Sequence, residues 1–272
     1  MRNKTQILIV IIAIALGLFF YSLPKAVLKN KKTAPVSQEK EALPDKGPDL
    51  HRTNVTESDR NNLRELTNKF LSFSEKEKKL TFADSLAKYY RRLHNYDSSA
   101  KYFEEVANLS PTEDRLIKAG DALYDAYSIS PEESKIGYMD KARGYYNRVL
   151  AKSPRNLDVK TKVALTYIGT ETPMEGITIL REVIKEDPKN ESAIYNLGVL
   201  SIQSGQYNKA IDRFKELISI NPGNPNAHFY LGLSYLSSGD KNKAKKSFEV
   251  AKTLNSDPAF QSTIDTYLKE AN

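Results

Sequence analysis

The sequence has 272 residues, no cysteine, no tryptophan, three histidines and a net charge of +7. Without cysteine the chain can form no disulfide, zinc finger, iron–sulfur cluster or cysteine nucleophile, and it cannot carry a lipid on an N-terminal cysteine. Residues 1–55 contribute +5 of the net charge, so the high pI is no sign of a nucleic-acid-binding domain in the rest of the chain.

Residues 7–23 form an uncharged and almost entirely apolar segment behind a short basic N-terminus of residues 1–6. As a helix this segment would span about 25 Å, which reaches the lower limit for crossing a bilayer. The alternative is a cleaved signal peptide, whose apolar core is usually shorter and ends in small residues. Here the segment ends in Tyr21, Ser22 and Leu23 and is followed by Pro24, with no pair of small residues before a cleavage point. The sequence therefore favours an uncleaved, single-pass transmembrane helix over 7–23.

The basic residues around this segment leave its orientation open. Arg2 and Lys4 precede it, whereas four lysines follow within nine residues of its end. The excess on the C-terminal side favours a cytosolic C-terminal domain, because positively charged flanks stay in the cytoplasm. A very short basic N-terminus, however, is the usual form of an anchor that exports the domain behind it.

Residues 24–55 are predicted to be a disordered tether. They contain four prolines and charges of both signs, and they show no sustained helical periodicity. Such a composition cannot bury enough apolar surface to offset the entropy lost on ordering.

The rest of the sequence has helical periodicity and a repeat of 34 residues. Pro154, Pro188 and Pro222 have this spacing. The same spacing relates Leu197 to Leu231, Gly198 to Gly232, Gly205 to Gly239, Ala210 to Ala244 and Phe214 to Phe248. This period is that of the tetratricopeptide repeat, a helix-turn-helix unit. About two thirds of the chain therefore resembles tetratricopeptide repeat (TPR) proteins.

The predicted fold is all-α, with an N-terminal transmembrane helix followed by a solenoid of helix-turn-helix repeats, and the resemblance implies a right-handed superhelix. Five repeats are predicted, at 80–111, 112–156, 157–190, 191–224 and 225–258. The second has about nine extra residues, which we expect to lengthen its second helix. A lead-in helix over 56–79 and a capping helix over 259–272 are predicted at the ends, because a solenoid needs polar outer faces to close its core.

No residue pattern predicts catalysis. His51, His94 and His228 are more than 40 residues apart in sequence and show no metal-ligand spacing. No glycine-rich phosphate loop and no nucleophile motif stands out in the sequence. We therefore expect no enzyme activity, cofactor or metal, and neither a nucleic acid nor a small molecule as ligand.

The resemblance to TPR proteins implies a concave groove that is lined by the first helix of each repeat and binds a peptide or helix of another protein. The groove-facing positions map to Lys88, Arg91, Arg92, Asp121, Tyr124, Asp125, Leu165, Ile168, Tyr195, Val199, Ile202, Phe229, Leu233 and Leu236. The groove would be charged at one end and apolar at the other, complementary to a ligand with acidic residues and apolar anchors. The alternative is that Val199, Ile202, Leu233 and Leu236 belong partly to the core and the groove is not used, or that the C-terminal helix fills the groove.

The predicted function is that of a membrane-anchored adaptor or assembly factor without catalysis. A second hypothesis is a self-associating scaffold in which the apolar end of the array is a homo-oligomer interface. A third is an accessory subunit of a membrane-bound complex.

Overall fold

The computed structural model describes residues 55–129 and 132–271, and within these ranges the chain is helical with no strand. Each helix in the described ranges is too short or too polar to cross a bilayer. The predicted transmembrane segment at 7–23 lies outside the described residues, as does the predicted tether apart from residue 55.

A first helix, α1, is followed by five helix pairs and a last helix, α12. Their bounds are α1 Glu57–Ser72, α2 Lys76–Arg92, α3 Tyr96–Leu109, α4 Glu113–Tyr127, α5 Glu132–Leu150, α6 Leu157–Ile168, α7 Pro173–Glu186, α8 Glu191–Gln203, α9 Tyr207–Ile220, α10 Pro225–Ser237, α11 Lys241–Leu254 and α12 Pro258–Ala271. Most tertiary contacts join helices that are consecutive in the chain, which is the pattern of a helical repeat array. The longest of the described helices is α5, in the repeat with the extra residues.

Asparagine caps start the first helices of the last three pairs. The side chains of Asn156, Asn190 and Asn224 each accept a hydrogen bond from the backbone N–H three residues later, at 3.0–3.1 Å. Such a cap satisfies one of the N–H groups that the first turn of a helix leaves unpaired. The caps recur at the period of the repeat, so this period also fixes where these helices begin.

Glycine in the first helix of a pair seats an aromatic ring from the second. A Cβ atom added to Gly198 would lie 2.7 Å from the ring of Phe214, and one added to Gly232 would lie 2.5 Å from Phe248. Both phenylalanines are fully buried. Because these distances are shorter than van der Waals contact, only glycine allows the rings to lie against the helix. The glycines and rings that recur together in the sequence are therefore packing partners.

The turn between α2 and α3 contains the one non-glycine residue with positive φ in the described ranges, His94, at 55°. Glycine occupies the equivalent turn position in the fourth and fifth repeats, where Gly205 and Gly239 have φ of 70° and 89°. The left-handed conformation is strained for histidine and free for glycine. The imidazole of His94 lies 3.0 Å from the hydroxyl of Tyr96, at the surface.

We expect His94→Gly to stabilise the protein by about 1 kcal/mol, because it removes this strain and loses only an exposed hydrogen bond. Urea unfolding followed by circular dichroism measures the change. His94→Ala is the matched control, since it loses the same imidazole but keeps a Cβ atom at positive φ. Equal stability of the two variants would contradict the explanation.

Candidate protein-binding face

The first helices of the five pairs are joined side by side. An ion pair of 2.6 Å links Arg91 of α2 to Asp125 of α4, and one of 2.7 Å links Lys162 of α6 to Asp121 of α4. Helix α8 contacts both α6 and α10. Between α8 and α10, the ring of Tyr195 lies 5.3 Å from that of Tyr230. The residues mapped to a groove in the sequence analysis therefore lie on one continuous row of helices. We call the surface that these residues form the first-helix face.

The cations at the N-terminal end of this face are all paired within the chain. Lys88 contacts Asp84 at 2.6 Å, and Arg92 contacts Asp59 of α1 at 3.1 Å. The guanidinium of Arg92 also lies 4.2 Å from the centre of the Tyr89 ring. Together with the Arg91–Asp125 pair, these contacts leave none of the three predicted cations without an acidic partner. An acidic ligand would have to compete with these carboxylates.

The two aspartates of α4 are anchors for their neighbours. Asp121 accepts a hydrogen bond of 2.8 Å from the hydroxyl of Tyr146, in addition to its ion pair with Lys162. Burial raises the pKa of the Asp125 carboxyl above its ordinary value, although Arg91 opposes the rise and the nearby charge of Asp121 adds to it. These carboxylates tie the first three repeats together, which explains their place on the face without a ligand.

In the middle of the face the predicted residues are half-buried. The ring of Tyr124 lies 6.3 Å from that of Tyr127, whose hydroxyl donates to the carbonyl oxygen of Gly169 just after α6. Ile168 packs on a small cluster around Leu180, whereas Leu165 lies outside the core clusters of the described residues.

Tyr195 and Phe229, the two aromatic residues mapped to the far end of the groove, belong to a chain of packed rings. Tyr195 lies 6.1 Å from Phe214 and 5.3 Å from Tyr230. Phe229 lies within 5.3–5.9 Å of the rings of Tyr230, Phe248, Phe260 and Tyr267. Two of these rings come from α12, which therefore covers the apolar end of the array. Both rings therefore pack against the core of the last two repeats.

Six half-buried aliphatic side chains remain accessible on the face, and we call them the aliphatic row. The row consists of Leu165, Ile168, Val199, Ile202, Leu233 and Leu236. The side chains from α8 and α10 lie at the edge of the core of the last two repeats. Because equivalent members are one repeat period apart, the row presents two apolar positions from each of three neighbouring helices.

Sequence mapping missed a crevice of about 270 Å³ between α7, α8 and α9. Its floor includes Leu197 and Leu200, and Ser201 lines it. The signal was present in the sequence, because Ser201 stands 34 residues from both Tyr167 and Tyr235, where a tyrosine is expected. Within the described ranges, no group of three histidine or carboxylate side chains could hold a metal ion.

Two family models match the C-terminal repeats. The model described as "TPR repeat" matches residues 200–239, and the model described as "Tetratricopeptide repeat" matches residues 225–258. These residues are tetratricopeptide repeats. No curated protein matches the chain.

Solved structures are similar to this chain at low sequence identity. A thermophilic TPR protein of Thermus thermophilus has 17% identity and a TM-score of 0.54, over 70% of this chain and 99% of that one. A crystal structure of MamA has 21% identity and a TM-score of 0.45, over 65% and 92% of the two chains. MamA 41-end from Desulfovibrio magneticus RS-1 has 18% identity and a TM-score of 0.47, over 65% and 94%. The similarity to the Thermus protein supports an all-α TPR array.

Proposed function

We propose that the chain is a non-catalytic TPR-type protein–protein interaction module, a membrane-anchored adaptor or assembly factor that binds a peptide or helix of a partner protein along the first-helix face. The aliphatic row is the observation that carries this proposal. Its six side chains are half-buried on helices that lie side by side, so a ligand laid across them would remove their remaining surface from water. Burying apolar area gives about 25 cal/mol per Å², which makes a row of this kind a source of affinity.

The chemistry of the ligand follows from which side chains of the first-helix face are not already engaged within the chain. The predicted cations and aspartates are engaged in ion pairs within the chain, whereas the aliphatic side chains of α6, α8 and α10 retain exposed surface. A ligand with several apolar side chains on one face, such as an amphipathic helix, complements this arrangement. The expected ligand is therefore recognised mainly through apolar anchors, with acidic residues contributing little.

The membrane attachment in this proposal depends on the sequence of residues 7–23. A helix over this uncharged segment would place the repeats next to a membrane, and residues 24–55 would serve as the tether. An adaptor held in this way meets membrane-bound partners at a raised effective concentration.

Acidic substitutions in the aliphatic row test the proposal. We expect Ile202→Glu with Leu236→Glu in the full-length chain to lower the recovery of its specific partner at least tenfold, because two carboxylates would have to be buried against apolar anchors. Quantitative affinity capture followed by mass spectrometry measures the loss.

The control is Val250→Glu, which replaces an exposed aliphatic side chain on α11, a second helix, by the same carboxylate. This control should retain the partner. A milder pair, Ile202→Ala with Leu236→Ala, should show a smaller loss while the thermal unfolding stays near that of the wild type. Retention of the partner by the double glutamate variant, or its loss in Val250→Glu, would contradict the proposal.

A further inference from the structure

One position in the first helix of each repeat is large in every repeat except the fourth. It is the third residue after the small residue of that helix, and it is occupied by Tyr90, Leu123, Tyr167, Ser201 and Tyr235 in chain order. In the fourth repeat this position is a serine, whose hydroxyl donates to the carbonyl of Leu197 within the same helix. The fourth repeat therefore lacks the side chain that the other four place here.

The tyrosines at this position are held by cations or by another ring. Tyr235 is 8% exposed, and its ring centre lies 5.8 Å from the ammonium of Lys215 and 5.4 Å from that of Lys243. The ring of Tyr167 lies 3.8 Å from the guanidinium of Arg143. Cations at these distances are attracted to the face of an aromatic ring. The space between successive second helices is thus built to hold a ring.

The fourth repeat keeps the cations that surround this position but has no ring there. The crevice of about 270 Å³ is lined by Ser201, and its walls carry Arg181 of α7 and Lys209 of α9. Arg181 precedes Lys215 by 34 residues, and Lys209 precedes Lys243 by 34 residues. The two cations that hold Tyr235 therefore have counterparts at the same places around the crevice.

The floor and the charges of the crevice fit an aromatic side chain with an acidic neighbour. Leu197, Leu200 and Ile177 supply apolar surface, and the volume exceeds the roughly 150 Å³ of an engineered apolar cavity that binds benzene. Among the described residues Arg181 has no ion-pair partner. Arg213 pairs with Glu216 on the rim, which leaves Arg181, Lys209 and Asp212 as the unbalanced charges. The rim therefore has a net charge of +1.

We propose that this crevice receives one aromatic side chain from a partner protein, on a segment with an acidic residue beside the ring. The ring takes the place that Tyr235 has in the following repeat, and Arg181 pairs with the acidic neighbour. The site uses α7, α8 and α9 and none of the aliphatic row, so it is a second interaction surface that does not depend on the function proposed for the first-helix face.

The absence of tryptophan from the chain permits a direct test. The probe is the peptide acetyl-Gly-Trp-Asp-Gly-amide, added to the full-length chain and followed by tryptophan fluorescence anisotropy. We expect saturable binding by the wild type, and binding at least fivefold weaker for the peptide with lysine in place of aspartate, because the rim is positive. Arg181→Ala should weaken binding about fivefold, since it removes the cation that pairs with the aspartate of the peptide.

Filling the crevice with the chain's own ring is the decisive variant. Ser201→Tyr should weaken peptide binding at least tenfold and raise the melting temperature by about 2 °C, because a gap in the packing is closed. Ser201→Ala leaves the crevice open and should bind within twofold of the wild type. The rise in melting temperature shows that lost binding in Ser201→Tyr does not result from misfolding.

Four outcomes would overturn the proposal. They are the absence of saturable binding to the wild type, unchanged binding by Ser201→Tyr, loss of binding in Ile202→Glu with Leu236→Glu, and binding that appears only when Phe19, Phe20 and Tyr21 are replaced by alanine. The third would place the peptide on the first-helix face. The last would mean that the N-terminal segment of the chain itself fills the crevice.

Discussion

Phe214→Ala is expected to lower the free energy of unfolding of the fourth and fifth repeats by about 3–5 kcal/mol. The side chain is fully buried, is seated on Gly198, and lies within 5.6–6.1 Å of the rings of Tyr195 and Tyr230. Removing it leaves a cavity at the junction of two repeats, where each repeat is stabilised by its neighbour. The last two repeats should therefore unfold before the first three.

Urea unfolding with amide hydrogen exchange measures both parts of this expectation. In Phe214→Ala, exchange should accelerate in α8–α12 at urea concentrations that leave α2–α5 protected. Tyr207→Ala on the same helix is the matched control, because Tyr207 is half-buried and lies outside the core clusters of the described residues. It should cost less than half as much. A single transition with the stability of the wild type would contradict the role of Phe214.

The effect of Gly198→Ala on the free energy of unfolding should be destabilising when residue 214 is phenylalanine and stabilising when it is alanine. In the wild type the new Cβ atom would lie 2.7 Å from the Phe214 ring, so the ring or the helix must move, at a cost of about 1–3 kcal/mol. In the Phe214→Ala background the ring is gone, and alanine should stabilise the helix by about 0.5–1 kcal/mol over glycine.

A double-mutant cycle on the unfolding free energies isolates this coupling. Gly205→Ala provides a contrasting control in both backgrounds, because no atom lies within 4 Å of the added Cβ but the φ of 70° strains any residue other than glycine. Its cost should be the same with and without Phe214. Additive effects of Gly198→Ala and Phe214→Ala, within about 0.5 kcal/mol, would show that the glycine is not there for the ring.

The repeat period allowed much of the described fold to be predicted from the sequence. A small residue and a large ring that recur at this period predicted helix pairs, and the all-α fold and the tetratricopeptide repeats are confirmed. The period carries this information because each repeat buries its ring against its own first helix and its neighbours, so the same packing requirement recurs in each unit. The predicted anchor and nearly all of the tether fall outside the described residues, and both stay predictions.

The use of each side chain on the first-helix face could not be predicted in the same way. Positions mapped from the TPR family specify which residues lie on the face, but not which of them are engaged within the chain. Phe229 was mapped to the groove, and its ring contacts two rings of α12. Arg91 was expected to attract acidic residues and is paired with Asp125 of the next repeat. These contacts depend on how neighbouring helices are placed relative to one another, and the residue pattern of a single helix does not predict this placement.

For the crevice between α7, α8 and α9, a position that departs from the repeat pattern was more informative than the positions that follow the pattern. A serine on a helix is not unusual in itself. Ser201 becomes significant only when it is compared with Tyr167 and Tyr235, which occupy the equivalent position in the neighbouring repeats. The counterpart relation between Arg181 and Lys215 is likewise visible in the sequence, but only the contacts of Lys215 with the ring of Tyr235 reveal what the cation is for. Internal repeats thus supply a comparison within one chain, since an unfilled position can be judged against its filled equivalents.

Site-specific photo-crosslinking tests the proposed function of the first-helix face most directly. A benzoylphenylalanine residue would replace Ile202 on this face or Val250 on α11, in the full-length chain and in the cells that produce it. The proposal predicts a discrete adduct with a partner protein from position 202, lost when Leu236→Glu is added, and no such adduct from position 250. An adduct from position 250 alone, or one from position 202 that Leu236→Glu leaves unchanged, would contradict it.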